Sequence, residues 1–61
     1  MPRFVTEFAN NQIRFYEGLK KEYPQNRDFY DGAIGGIKHA VSMCERGVIS
    51  ICECMKLIAD Y

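Results

Sequence analysis

The sequence lacks a net charge, an even set of cysteines and any long apolar run. Eight Lys and Arg residues balance eight Asp and Glu residues, so the chain has no basic footprint of the kind that nucleic-acid-binding domains carry. Nothing in its charge pattern attracts an anionic membrane surface either. We therefore expect neither nucleic acid nor a membrane as the main partner.

The cysteine count and the N-terminal residues bear on the compartment. Three cysteines are an odd number, whereas secreted disulfide frameworks normally use an even set. No signal peptide is expected, because Met1, Pro2 and Arg3 are not followed by a long apolar run. No stretch approaches the roughly 18 apolar residues that a membrane helix needs. These observations predict a cytoplasmic protein with reduced cysteines.

Residue patterns of common catalytic and metal sites are also missing. Cys52 and Cys54 lie about 200° apart on a helix, so they face different sides. His39 and Cys44 are five residues apart and diverge in the same way, which leaves no compact zinc-ligand pattern. Cys52 lies near a predicted helix N-terminus that favours a thiolate, but no base is placed beside it. We predict no catalytic, cofactor or metal site.

What the chain does have is helical periodicity. Apolar residues at spacings of four, seven and four predict an amphipathic first helix over 3–22, ended by Tyr23-Pro24. The residues that form this stripe are Phe4, Phe8, Phe15 and Leu19. Val5, Ile13 and Tyr16 lie beside it.

A second helix is predicted over 28–46. Asp28 is the expected N-cap, with Asn26 as the alternative, and Gly47 is placed where a C-terminal glycine ends a helix. Its apolar positions repeat at spacings of 4, 3, 4 and 3, which is a heptad-like seam. The seam consists of Tyr30, Ile34, Ile37, Val41 and Cys44.

The third helix, over 51–59, has the best-defined start. Ser50 and Glu53 fit a capping box, in which the serine hydroxyl accepts from the backbone N–H three residues on. Ile51, Met55 and Ile58 then form one apolar face. Together the segments predict a single all-α domain over 1–61, an antiparallel helical hairpin plus a short third helix. Because the core of so short a chain is thin, pairing of two copies into a helical bundle would complete it.

The most unusual local feature is a stripe of small residues in the second helix: Gly32, Gly36 and Ala40. Glycine inside a helix costs about 0.5–1 kcal/mol relative to alanine, so its use there needs a compensating contact. Residues four apart share a face, and a face without side chains lets another backbone or a ligand approach closely. The stripe packs either within the hairpin or against a partner, and its spacing does not distinguish the two.

Tyrosine and arginine side chains are enriched at binding hot spots, which adds further interaction candidates. We expect these side chains to be exposed: Tyr16, Tyr23, Arg14 and Arg27. The alternative is that they are ordinary surface residues.

These features together predict a non-enzymatic regulator or inhibitor that acts by docking onto another protein, with a homodimer as a further expectation. A phage or mobile-element origin would suit a protein of this size. One alternative is a small helix-turn-helix DNA-binding regulator, formed by the second helix, the Gly47 turn and the third helix. Against it, the third helix offers one basic residue, Lys56, beside Glu53 and Asp60. A metal- or redox-responsive helical protein is the other alternative.

Overall fold

The computed structural model describes residues 1–61 and contains helices without strands. Helix α1 spans Arg3–Glu22, α2 spans Arg27–Glu45 and α3 spans Ile51–Ala59, with a short 3-10 turn at Pro24–Asn26. The predicted all-α hairpin with a short third helix is confirmed, and the three predicted helices begin and end within one residue of the observed ones.

The connection between α1 and α2 differs from the prediction in one detail. The Tyr23 N–H donates to Leu19 O at 2.8 Å and closes α1, and Pro24 then opens the 3-10 turn. This turn leads directly into α2, so the N-cap is Asn26 and not Asp28, which lies in the first helical turn. The Asn26 side chain makes no capping hydrogen bond, so the turn itself and the Asp28 charge near the positive helix end support this start.

The turn between α2 and α3 follows the predicted chemistry. Gly47 has a φ of +76°, a left-handed conformation that favours glycine. The Gly47 N–H donates to Cys44 O at 3.0 Å and the Val48 N–H donates to Met43 O at 2.9 Å, which is the Schellman pattern. Ser50 Oγ then accepts from the Glu53 N–H at 3.1 Å and caps α3. These local bonds fix the direction in which α3 leaves α2.

The core is small and lies between the three helices. Its nine buried residues are Val5, Ala9, Tyr16, Ala33, Ile34, Ile37, Ala40, Cys54 and Ile58. The α1 side of this core differs from the predicted stripe, because Phe4 and Phe15 are 56% and 59% exposed. The hairpin closes along the neighbouring line of α1, where Ala9 lets α2 approach closely, and the bulky phenylalanines are left on the flank.

Helix α3 covers the hairpin at the end distant from the α1–α2 connection. Cys54 and Ile58 are completely buried against the hairpin, and Cys54 Sγ donates to Ala40 O at 3.6 Å. The C-terminal Tyr61 lies over Gly36. One end of the hairpin is therefore sealed by the chain itself, and pairing of two copies stays a prediction.

Candidate functional site

The small-residue stripe does not form one continuous contact surface. Ala40 is buried and meets α3, while the Tyr61 side chain occupies the space where a Gly36 Cβ would be. Gly32, one turn further toward the hairpin connection, is exposed and has no atom within 4 Å of the position of a Cβ. The close approach at Gly36 is thus made by the C-terminal residue rather than by α1, and Gly32 is the member of the stripe left open.

Beside Ala40, two thiols lie together in the sealed end. Burial raises the pKa of the Cys54 thiol above its ordinary value, and the neighbouring Cys44 raises it further. A buried thiol with a raised pKa is mostly protonated at neutral pH, so it is a poor nucleophile. Cys54 therefore acts in this structure as a small core residue that also donates a weak hydrogen bond.

The four side chains predicted to be exposed divide into two groups. Tyr16 is buried, contrary to the prediction, because it lies on the same line of α1 as Val5 and Ala9 and faces α2. Tyr23 is 44% exposed at the end of α1, and Arg27 is exposed at the start of α2. Arg14 is also exposed, and its guanidinium donates to the Asn11 side chain on the same helix.

Four aromatic rings form a connected cluster across the hairpin near its connection, which we call the aromatic face. Phe15 and Tyr16 meet edge to face on α1, with ring centroids 5.4 Å apart. Tyr16 reaches Tyr30 on α2 at 6.0 Å, and Tyr30 meets Phe29 edge to face at 5.7 Å. The inner tyrosines pack on the core, whereas Phe15 and Phe29 point outward. At 72% exposure, Phe29 is the most exposed large apolar side chain of the chain.

A second surface near the connection is a charged cleft between α1 and α2, of about 460 Å³, which we call the basic cleft. Pro24 and Ile34 line it together with six charged side chains, namely Glu17, Lys20, Lys21, Arg27, Asp31 and Lys38. Lys20 Nζ lies 2.5 Å from Asp31 Oδ1 and ties the two helices together across the cleft. Both partners are partly exposed, so this ion pair contributes well under 1 kcal/mol to stability.

Neither the aromatic face nor the basic cleft was predicted from the sequence. The exposed position of Phe15 depends on which line of α1 closes on α2, and the helical period alone does not decide this. Arg27 was singled out as a single side chain, and Lys20 and Lys21 are no more than an adjacent basic pair in the sequence. The antiparallel register of the hairpin is what places them in one cleft with Lys38.

The structure also positions the residues that were weighed for metal, redox and DNA-binding roles. No group of three His, Cys, Asp or Glu side chains lies close enough together to hold a metal ion. Cys52 is exposed on the first turn of α3, and His39 is exposed on α2. On α3 the exposed charged side chains are Glu53 and Lys56, and the exposed Asp60 follows as its C-cap, so the segment that would enter a DNA groove carries more acid than base.

Each of the three helices is too short or too polar to traverse a lipid bilayer. Comparison of the chain with protein families, with curated proteins and with solved structures finds no match. The class that the fold defines is a small three-helix domain.

Proposed function

We propose that this chain is a small non-enzymatic binding module, a regulator or inhibitor that acts in the cytoplasm by docking its aromatic face onto a partner protein. The observation that carries the proposal is the exposure of Phe15 and Phe29 on a supported cluster of rings. Burying a phenylalanine side chain contributes about 1.5–3 kcal/mol, so two such side chains can anchor an interface.

The support behind the two phenylalanines matters as much as their exposure. Tyr16 and Tyr30 hold them through edge-to-face contacts and are themselves packed on the core. Side chains that are already held in place lose less conformational freedom on binding, so more of the burial energy appears as affinity. Gly32 lies open on α2, one turn beyond Asp28, and leaves room there for close approach of a partner.

The partner that fits is a protein with an apolar groove that receives protruding aromatic side chains. A second copy of this chain offers no such groove, because its most apolar depression is only about 180 Å³ and has Lys38 at its edge. A copy could still meet the aromatic face with its own aromatic face. We favour a heterologous partner, and a homodimer is one outcome of the test.

The test compares three tagged forms: the unaltered chain, Phe29→Ala and Phe4→Ala. Phe4 is also a largely exposed phenylalanine, but it lies in the first turn of α1, at the end of the hairpin distant from Phe29 on α2, so it is a matched control. A partner captured from extracts of the source cell should be lost or bound at least about ten-fold more weakly by Phe29→Ala, and kept by Phe4→Ala.

Light scattering of the unaltered chain over a range of concentrations completes this test. If the chain dimerises and Phe29→Ala makes it monomeric, the occupant of the aromatic face is a second copy. If both alanine variants capture the same partner as well as the unaltered chain does, the aromatic face is not the docking surface and the proposal fails.

A further inference from the structure

The basic cleft is a candidate site in its own right, separate from the aromatic face. Phe29 of the aromatic face and Asp31 of the cleft are two residues apart on α2, which places them about 200° apart around the helix. The two surfaces therefore point in different directions from the same end of the hairpin. Binding of a ligand in the cleft is therefore independent of the docking function proposed for the aromatic face.

Charge in the cleft differs from that of the chain as a whole. The chain is neutral, but four cations and two carboxylates line the cleft, a local net charge of +2. Lys20 is paired with Asp31, whereas Lys21, Arg27 and Lys38 are exposed and form no ion pair. Three unpaired cations that border one concave surface favour an anionic ligand.

The spacing of these cations indicates an extended ligand. Arg27 and Lys38 are eleven positions apart on α2, which corresponds to about 16 Å along the helix axis. A single phosphate group cannot meet cations over that length, whereas about five residues of an extended peptide can.

The end of the cleft at Lys38 differs chemically from the end at Arg27, because an apolar surface adjoins it. Lys38 also borders a second, smaller depression of about 180 Å³, where Ala9, Ile13 and Val41 supply apolar walls. A ligand that follows the seam from Arg27 past Lys38 therefore meets cations first and an apolar surface next. A peptide can offer carboxylates and then an apolar side chain, whereas a polynucleotide offers phosphates throughout.

The carboxylates of the cleft support the same choice. Glu17 and Asp31 can accept hydrogen bonds from a ligand, and the phosphates of a nucleic-acid backbone have no N–H group to donate to them. A peptide backbone instead carries N–H groups that can donate to a carboxylate. From these observations we propose that the basic cleft binds an acidic peptide segment of a protein, with an apolar residue at the end that lies beyond Lys38.

The test uses a defined probe, a fluorescein-labelled peptide of about six residues in which a run of alternating Asp and Glu ends in leucine, long enough to span the seam. Fluorescence anisotropy should show saturable binding. Lys38→Glu and Lys21→Glu should each weaken it by about five-fold or more, since each turns an attraction into a repulsion. Lys56→Glu on α3 makes the same charge change outside the cleft and should alter binding by less than about two-fold.

Two peptide controls and one protein control sharpen the result. A peptide with Asn and Gln in place of Asp and Glu should not bind, and one that ends in serine instead of leucine should bind about three-fold or more weakly. Phe29→Ala should bind the acidic probe as the unaltered chain does. Circular dichroism of each charge variant verifies that the exposed substitution leaves the helices intact.

Several results would overturn the proposal. One is the absence of binding up to about 1 mM probe, the weak limit of specific recognition. Another is an equal loss of affinity in Lys38→Glu and Lys56→Glu, which would mean that only the overall charge matters. Displacement of the probe by inorganic phosphate or by a short single-stranded oligonucleotide, at lower concentration than by unlabelled peptide, would assign the cleft to those ligands instead. Equal binding of the leucine and serine peptides would overturn the proposed apolar residue beyond Lys38, the feature that distinguishes a peptide from a polynucleotide.

Discussion

At the end of the hairpin distant from its connection, α3 buries Ala40 and Tyr61 lies over Gly36, whereas at the connection Gly32 meets open space and Phe29 stands exposed. Both ends are formed by α1 and α2, but only the distant end is covered by α3 and Tyr61. A nine-residue third helix is long enough to cover one end of a hairpin whose helices have 20 and 19 residues. The aromatic face lies at the uncovered end, and the basic cleft begins there and runs along the seam between α1 and α2 to Lys38.

Substitutions at the two ends are therefore expected to affect different properties, stability at the sealed end and binding at the open end. At the sealed end the apolar contacts are already made within the chain, so changes there are expected to alter folding. At the open end the apolar and charged groups face solvent, so changes there are expected to alter binding and leave folding largely intact. This division can be tested directly.

The largest effect on stability is expected from a substitution in the core of the sealed end. Ile58 is completely buried on α3, so Ile58→Ala should lower the free energy of unfolding by about 2–5 kcal/mol through lost burial and a cavity. Phe29→Ala at the open end removes a larger side chain, which is 72% exposed, and should cost less than about 1 kcal/mol. Urea denaturation followed by circular dichroism measures both.

A neighbouring position serves as control for α3. Leu57 precedes Ile58 but is 37% exposed, so Leu57→Ala should cost clearly less than Ile58→Ala. If Phe29→Ala proves as destabilising as Ile58→Ala, then the open end is part of the folded core and the contrast between the two ends is wrong.

A smaller effect is expected in the pH dependence of stability, again confined to the sealed end. Burial and the neighbouring Cys44 raise the pKa of the Cys54 thiol in the folded chain. The unfolded chain then releases this proton first as the pH rises. Stability from this group is fully present below the unfolded pKa, about 8.5, and is lost above it, with a slope of at most about 1.4 kcal/mol per pH unit.

Paired variants isolate this contribution from the other groups that titrate at high pH. Cys54→Ala should flatten the decline in unfolding free energy between about pH 8 and 10, although it lowers stability at every pH by leaving a small cavity. Cys52→Ala, which removes an exposed thiol of the same helix, is the comparison variant. A decline that is identical in the two variants would mean that Cys54 does not contribute to it.

The sequence best predicts those features of the structure that are determined by residues close together in the chain. Helix ends follow from residues within a few positions of one another, and the Gly47 turn and the Ser50 cap are found as predicted. The N-cap of α2 was expected at Asp28, but Pro24 begins a 3-10 turn that leads into the helix and makes Asn26 the N-cap. Local chemistry therefore predicts the elements and most of their boundaries.

The sites were less predictable because they depend on contacts between elements. The period of α1 places Phe15 and Tyr16 on adjacent lines of one apolar sector, and only docking of α2 decides that Tyr16 is buried and Phe15 is not. The partner of Gly36 is 25 positions away in the sequence. A stripe of small residues indicates close approach, but the residue that makes the approach is determined by the path of the whole chain.

The smallest expected effect comes from the two glycines that lie one turn apart on the boundary between the ends. Alanine is the better helix former by about 0.5–1 kcal/mol. At Gly32 a Cβ meets open space, so Gly32→Ala should gain this amount. At Gly36 a Cβ would overlap the ring of Tyr61, so Gly36→Ala should gain less, because the terminal side chain has to move from its place over α2.

Removing the ring tests that explanation. In a Tyr61→Ala background, Gly36→Ala should gain as much as Gly32→Ala does, and Gly32→Ala should gain the same with or without Tyr61. Thermal unfolding of the six chains measures these differences, since about 1 kcal/mol shifts the midpoint by several degrees in a domain of this size. Equal gains at Gly32 and Gly36 with Tyr61 present would show that the ring does not occupy Gly36 in solution. The sealed end would then stop at Ala40, and the open surface would extend one turn further along α2.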